Sequence, residues 1–310
     1  MSQASATSAT LGLDDAVELA HAWAQAVARQ RDIRVLFIKG DALHSHGLRD
    51  KRVSADVDVL VDPSRFGDYL ATIETAGWAE RPTTFASARF TLHSRTFIKD
   101  GWPCDLDVHS YFPGFLADPQ VVFDTLYSRR VEFEYAHQKC DVPDRVACAL
   151  TLALHSLRGT TKQPRHQDEL EQLVAHAKLT DDERADAASL ALATGCATTL
   201  EAVLPRLGVQ VKAPSDELTS PELRLWRERL AAGSLGSYVW IAVLRRASWR
   251  DRPTVAWRAF WPSDHDLLLK ESGLPDHLWP KLRARTARFL RGMRSLLPAL
   301  RVSSALRPER

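Results

Sequence analysis

Four aspartates stand in two short repeats whose spacing could build a metal site. Asp56 and Asp58 lie two residues apart in DVDVLV, and Asp105 and Asp107 lie two residues apart in DLDVH. Residues two apart in a β-strand project from the same face, so each repeat would present a pair of carboxylates on one side of its strand. Such carboxylates repel each other unless a cation lies between them, and their oxygens are usual protein ligands of Mg²⁺. The sequence therefore predicts a divalent-cation site on Asp56 and Asp58, with a third carboxylate available from the second repeat.

The chemistry that fits this arrangement is phosphoryl or nucleotidyl transfer. Two metal ions held by a shared carboxylate set can activate an attacking hydroxyl and stabilise the leaving pyrophosphate. Lys39 and Gly40 follow a short apolar run; a glycine there lets the backbone approach a phosphate, and the lysine adds positive charge. The sequence contains no Walker-type P-loop motif, which argues against a P-loop kinase or ATPase.

The surrounding pattern predicts the elements that position these residues. Helical periodicity is seen between Leu13 and Arg31, and the apolar run Val35–Ile38 predicts a buried strand that a glycine turn ends. We expect a short helix from Asp41 to Gly47, a strand over DVDVLVD and a helix from Ser64 to Ala76. Asp100-Gly101 predicts a hairpin that pairs a strand around residues 89–99 with a strand around residues 102–111.

The chain is long enough for two domains. After Pro143 the sequence changes to long Ala-, Leu- and Arg-rich helical patterns, so we place a domain boundary near Val142. The predicted organisation of the 310 residues is a flexible tail over 1–11, an α+β domain over 12–142 and a mainly helical C-terminal domain over 143–310. The α+β domain should hold a small mixed sheet with flanking helices.

Composition excludes several other classes of protein. The formal net charge of +2 is too small to indicate overall affinity for nucleic acid or for a membrane. The four cysteines lack zinc-site spacing, and we expect them to be free thiols. The N-terminal residues do not have the pattern of a secretory signal, and no later run predicts a transmembrane segment. The sequence therefore predicts a cytoplasmic protein.

The stretch IKGDALHSHGLRDKRVSADVDVLV resembles the uncharacterised nucleotidyltransferase-like family of the DNA polymerase β superfamily, in a pattern that extends over roughly residues 13–175. The resemblance implies a polymerase-β-like nucleotidyltransferase domain with metal ligands Asp56 and Asp58. It favours Asp107 over Asp105 as the third metal-binding and catalytic carboxylate, because Asp107-Val108-His109 is similar to the family's Asp-apolar-His segment. We leave His109 itself out of the site, since a histidine near a strand end is most often structural.

The same resemblance implies nucleotide-binding residues upstream of the aspartate pair. These are Lys39 and Gly40 at the phosphate turn, and Arg52 and Ser54 in RVSADVD. The turn departs from the pattern of the superfamily, most of which has Gly-Ser or Gly-Gly where this sequence has Lys39-Gly40-Asp41. Asp41 thereby adds negative charge where the phosphates should lie. Arg52 could instead pair within the protein, with Asp50 or Asp56.

The predicted function is transfer of a nucleoside monophosphate from a nucleoside triphosphate such as ATP, with Mg²⁺ or Mn²⁺, to an unidentified acceptor, with release of pyrophosphate. A small molecule, a peptide or RNA could be the acceptor. The alternatives are a toxin-like enzyme that modifies tRNA, a tailoring or resistance enzyme and a non-catalytic binding module with the same fold. The basic stretch KLRARTARFLRGMRSLLPALR, residues 281–301, could contact RNA or an anionic membrane surface, or it could form a helix that packs on its own domain.

Overall fold

The computed structural model describes residues 11–158, 164–232, 236–271 and 273–305. The predicted tail, residues 1–11, lies outside the described residues except for Leu11. Two compact units are found. Within the described residues, the first comprises the chain up to Arg81, His93–Leu154 and Asp168–Pro214, and the second comprises Pro82–Leu92, His155–Gln167 and the chain from Ser215 onward.

Strands are found only in the first half of the described chain. They are β1 Val35–Phe37, β2 Asp56–Val61, β3 Ala79–Glu80, β4 Ser94–Ile98, β5 Asp105–His109, β6 Arg130–Tyr135 and β7 Gln138–Pro143. The α-helices are α1 Leu13–Gln30, α2 Ala42–Ser45, α3 Phe66–Thr75, α4 Phe85–Phe90, α5 Pro119–Ser128, α6 Arg145–Leu157, α7 Pro164–His176, α8 Asp181–Ala193, α9 Ser215–Thr219, α10 Pro221–Ala232, α11 Gly236–Arg246, α12 Arg252–Phe260, α13 Asp264–Lys270 and α14 Leu278–Ala305.

A five-stranded mixed sheet forms the centre of the first unit, in the order β1-β2-β5-β4-β3. The strands β2 and β5 run parallel, whereas the other neighbouring pairs are antiparallel. The apolar residues that alternate with the aspartates of β2 and β5 are fully buried on the other face of the sheet. They are Val57, Val59, Leu106 and Val108. The prediction of an α+β protein with a small mixed sheet, followed by a mainly helical region, is confirmed.

The strand that the sequence predicts around residues 89–99 starts later in the structure, at Ser94. Residues 85–90 form α4 instead, which begins at a Thr84 cap whose hydroxyl accepts a hydrogen bond from the Ser87 backbone N–H. The antiparallel pairing of β4 with β5 across the Asp100-Gly101 turn is confirmed, and Gly101 has the positive φ of 78° that such a turn requires.

The hairpin formed by β6 and β7 was not predicted from the sequence. Its turn residues, Ala136 and His137, both have positive φ values, 44° and 62°, although neither is the glycine, asparagine or aspartate that normally marks such a turn. The strand β7 packs against α1 and β1, so this hairpin belongs to the core of the first unit.

The described chain after Pro143 is mainly helical, as predicted, although residues 194–214 contain no α-helix and only the 3-10 turn Leu204–Leu207. No helix among the described residues is long and apolar enough to cross a membrane. The domain boundary near Val142 stays a prediction, although the first compact unit extends beyond it and takes in residues 168–214.

Candidate metal centre

The register of the two parallel strands brings the aspartate repeats side by side. Asp56 lies opposite Asp105, and Asp58 lies opposite Asp107. Each pair is two residues apart in its strand, so the four carboxylates project from one face of the sheet while the intervening valines and Leu106 fill the other. His109 follows Asp107 by two residues and therefore shares this face.

Asp58 is the most buried of the four aspartates, with 5% of the residue exposed. Its Oδ1 atom lies 2.6 Å from Lys39 Nζ and 3.0 Å from His109 Nε2. Burial alone would raise the pKa of Asp58, but the charge of Lys39 and the hydrogen bond from His109 outweigh burial and hold that pKa well below its usual range. Asp58 is therefore an ionised carboxylate that lies between the Lys39 ammonium and the His109 imidazole.

The end of β1 explains how Lys39 reaches Asp58. The Ile38 N–H donates to the Asp58 carbonyl oxygen at 3.2 Å, so the residue that follows lies beside the Asp58 side chain. Gly40 then takes a φ of +75°, which turns the chain toward α2 at little steric cost. Arg49 fixes this turn, because its Nη2 donates to the Gly40 carbonyl oxygen at 2.8 Å.

Asp107 and His109 form the second part of the cluster. The Thr96 hydroxyl donates to Asp107 Oδ1 at 3.1 Å, and His109 Nε2 lies 3.3 Å from Asp107 Oδ2. Burial would raise the pKa of Asp107, but the hydrogen bond and charge of His109 lower it. For His109, burial would lower the pKa, and the hydrogen bonds to Asp107 and Asp58 raise it. The imidazole is thus a buried link between the two carboxylates.

Asp56 lies on the same face of the sheet as Asp58 and Asp107, but its environment is different. The Ser54 hydroxyl lies 2.9 Å from both Asp56 Oδ1 and the Asp56 carbonyl oxygen. Burial, followed by the negative charge of Asp58, raises the pKa of Asp56. A cation bound beside Asp56 would offset both its burial and the charge of Asp58.

Asp105 and Arg52 make contacts away from the cluster. Arg81 Nη2 lies 2.5 and 2.6 Å from the two carboxylate oxygens of Asp105, at the N-terminal end of the central strand β5. Arg52 pairs with the buried Glu169, which Arg49 also approaches. Arg52 therefore does pair within the protein, but its partner is Glu169, which α7 brings from a distant part of the sequence, and not Asp50 or Asp56.

Sequence reasoning left His109 and Thr96 out of the site. The signal for His109 was present, because the alternation of β5 gives Asp105, Asp107 and His109 one face. Thr96 could not be recognised in the same way, since its role depends on the register that places it opposite Asp107.

The donor set suits a divalent cation. Ligand atoms of Asp58, Asp107 and His109 all lie within 4.8 Å of one another, and Asp56 adds an oxygen donor on the same face. Carboxylate oxygens match Mg²⁺ and Mn²⁺, whereas an imidazole nitrogen is less usual for Mg²⁺. The residues therefore fit a metal bound mainly by the aspartates, with His109 orienting two of them.

Comparisons with known proteins provide little beyond this geometry. No family model matches the chain, and no curated protein matches it. Among solved structures, the chain is similar to an antigenic nucleotidyltransferase-like protein from Paracoccidioides brasiliensis, with 12% sequence identity and a TM-score of 0.38. The match covers 64% of this chain and 95% of that chain. At this level the similarity carries no conclusion about activity.

Proposed function

We propose that the protein transfers a nucleoside monophosphate from a nucleoside triphosphate to an acceptor, with release of pyrophosphate. The observation that carries the proposal is the register of β2 and β5, which gathers Asp56, Asp58 and Asp107 on one sheet face beside Lys39. Carboxylates in such an arrangement serve nucleotidyl transfer, which depends on positioning and charge neutralisation.

In this proposal the aspartates hold the metal, and Asp107 is the third carboxylate. Asp105 is less suited to that role, because Arg81 already pairs with both of its oxygens. A Mg²⁺ or Mn²⁺ ion bound there would neutralise the triphosphate and favour deprotonation of the acceptor. His109 keeps Asp58 and Asp107 oriented through its Nε2 atom, and Thr96 fixes the far oxygen of Asp107.

Lys39 and Gly40 are the proposed phosphate contacts. The Lys39 ammonium is 15% exposed and can exchange its contact with Asp58 for a phosphate oxygen. The sequence predicts that Ser54 contacts the nucleotide. In this proposal Ser54 instead orients Asp56 through a hydrogen bond from its hydroxyl. Arg52 is one-third exposed and would have to share its charge between Glu169 and a ligand.

The test is transfer of label from nucleoside triphosphates labelled at the α-phosphate to fractionated small molecules, peptides and RNA. Label at the α position should become attached to one acceptor class in the presence of Mg²⁺ or Mn²⁺, while label at the γ position should leave with pyrophosphate. Asp58→Asn should abolish transfer, because it removes the charge but keeps the shape of the side chain. Asp105→Asn is the matched control and should retain most of the activity. Equal loss in both variants would contradict the choice of Asp107 over Asp105 as the third carboxylate.

A second candidate is a non-catalytic binding module. One observation favours it: the Lys39 ammonium and the His109 imidazole already contact Asp58, so the fold does not need a metal to stabilise that carboxylate. The absence of any metal-dependent nucleotide binding would support this candidate and exclude the proposed transfer.

A further inference from the structure

The helical second unit contains a cavity of about 570 Å³. It lies among α11, α12, α13 and α14, and its walls are mainly apolar, with the aromatic side chains Trp240, Phe260 and Phe289 and the aliphatic side chains Leu244 and Leu296. A volume of this size falls within the range of about 300–1,000 Å³ that is typical of small-molecule sites. The cavity can therefore hold a compact apolar body.

A buried carboxylate, that of Asp266, lies in the wall of this cavity. Asp266 is 2% exposed, and its Oδ1 atom accepts a hydrogen bond from the Phe85 backbone N–H at 2.8 Å. Its Oδ2 atom has no hydrogen-bond partner among the described residues. A buried polar atom without a partner is costly, so this oxygen is suited to a donor on a ligand.

Two cations, Lys270 and Arg288, also line the cavity and form no ion pair among the described residues. The Arg288 guanidinium lies over the Trp240 ring, 5.5 Å from its centroid. Burial lowers the pKa of Lys270, and the charge of Arg288 lowers it further. Burial likewise lowers the pKa of Arg288, with Arg291 adding to the effect. Arg288 is half-buried and would gain from a nearby anion, whereas Lys270 is exposed and would add positive charge beside it.

The remaining charges of the cavity compensate each other. Arg291 Nη2 lies 3.6 Å from Glu271 Oε1, which leaves Asp266 as the negative group facing Lys270 and Arg288. Two positive charges against one negative charge leave the polar end of the cavity with an excess of one positive charge.

We propose that this cavity binds a small amphipathic anion: an apolar body between the helices, an acidic head beside Lys270 and Arg288, and a hydroxyl or amide donor for Asp266 Oδ2. The proposal commits to a carboxylate or phosphate ester of small-molecule size. It does not depend on the nucleotidyl transfer proposed for the first unit.

The binding test uses anilinonaphthalenesulfonate, an aromatic anion whose fluorescence rises in apolar sites, as a reporter on the full-length protein. Octanoylglycine, octanoate, octyl phosphate and octanol are then compared as competitors. Octanoylglycine should displace the reporter best, because it carries both the carboxylate and an amide N–H. Octanoate and octyl phosphate show which acidic head is preferred, and uncharged octanol should be the weakest. Equal displacement by octanol would overturn the proposal.

Variants that remove the positive charge of Lys270 or Arg288 test where the acidic head of the ligand binds. Arg288→Met and Lys270→Met should each weaken octanoylglycine binding by about tenfold or more, as expected for loss of a hydrogen bond to a charged group. Arg294→Met is the matched control, because Arg294 is an exposed arginine of the same helix that does not line the cavity. Equal weakening in the control would mean that the helix attracts anions without a defined site.

A cavity-filling variant provides a test that does not depend on charge. Gly292 lines the cavity on the same helix face as Arg288 and Ser295, and a Cβ atom added there meets no atom within 4 Å. Gly292→Leu should therefore fold normally, as thermal unfolding can establish, while it abolishes displacement of the reporter by octanoylglycine. A folded Gly292→Leu protein with unchanged binding would overturn the assignment of this cavity.

Discussion

His21 shows how a single buried side chain makes stability depend on pH. It is 1% exposed, its ring stacks on Tyr135, and its Nδ1 atom lies 2.7 Å from the Val17 carbonyl oxygen. Burial, the largest influence, lowers the pKa of His21 from 6.5 to about 4. The folded protein thus keeps a neutral imidazole under conditions in which the unfolded chain is protonated.

This pKa difference predicts lower stability in acid. As the pH falls below 6.5 toward 4, the unfolded state takes up a proton that the folded state does not, so the free energy of unfolding decreases. The full effect is on the order of 3 kcal/mol. Urea unfolding between about pH 7 and about pH 5 should show a smaller decrease for His21→Gln than for the natural protein. The same decrease in both proteins would contradict a neutral, buried His21.

The alternating residues of β2 and β5 reveal which side chains share a face of the sheet, but not which distant residues pair with them. In each repeat the two aspartates are two residues apart. When β2 and β5 lie side by side in the observed register, Asp56 therefore lies opposite Asp105 and Asp58 lies opposite Asp107. The partners of Arg52 and Asp105 lie far away in the sequence, on Glu169 and Arg81, and no local pattern indicates them. Types and faces of residues were therefore predictable, whereas specific ion pairs were not.

At the scale of elements, the turn between β6 and β7 explains why that hairpin escaped prediction. Its left-handed conformations are occupied by Ala136 and His137, so the usual asparagine-glycine signal is missing. The register from Arg130–Pro143 to Tyr135–Gln138 is nevertheless continuous. Ala136 and His137 do not themselves favour this left-handed turn. The turn is therefore held by the pairing of β6 with β7 and by the contacts of β7 with α1 and β1.

Replacement of these two residues by better turn formers should stabilise the protein. The double change Ala136→Asn and His137→Gly should raise the free energy of unfolding by about 1 kcal/mol, because both new residues tolerate positive φ. Chemical denaturation measures the change. Gln138→Gly, at the first position of β7, is the control and should lower stability by roughly 0.5–1 kcal/mol. Destabilisation by the double change would show that the turn is not as described.

At the scale of the whole molecule, the first unit is not contiguous in sequence. Leu116 and Ala117 donate backbone hydrogen bonds to Gly195 and Thr194, so the end of α8 holds the segment that follows β5. The change to helical composition after Pro143 was visible in the sequence, but these returning contacts were not. A compositional change marks a change of secondary structure and need not mark the edge of a compact unit.

Gly195 is the position at which this packing can be tested. A Cβ atom there would lie 2.7 Å from the Ala117 nitrogen, and the residue has a φ of +67°. Gly195→Ala should therefore lower the free energy of unfolding by more than about 2 kcal/mol. Gly67→Ala is the control, because Gly67 is exposed in α3 and has open space around it; stability there should rise by about 0.5–1 kcal/mol. A neutral Gly195→Ala would contradict the close approach.

The proposed transfer requires that the aspartates of β2 and β5 bind a metal together with the nucleotide substrate. Calorimetric titration of the purified protein with a nucleoside triphosphate, with and without Mn²⁺, tests it most directly, with Asp58→Asn and Asp105→Asn measured under the same conditions. We predict binding that requires Mn²⁺, that persists in Asp105→Asn and that is lost in Asp58→Asn while the variant remains folded. Binding that is unchanged by removal of Mn²⁺, or that is retained in Asp58→Asn, would contradict the claim.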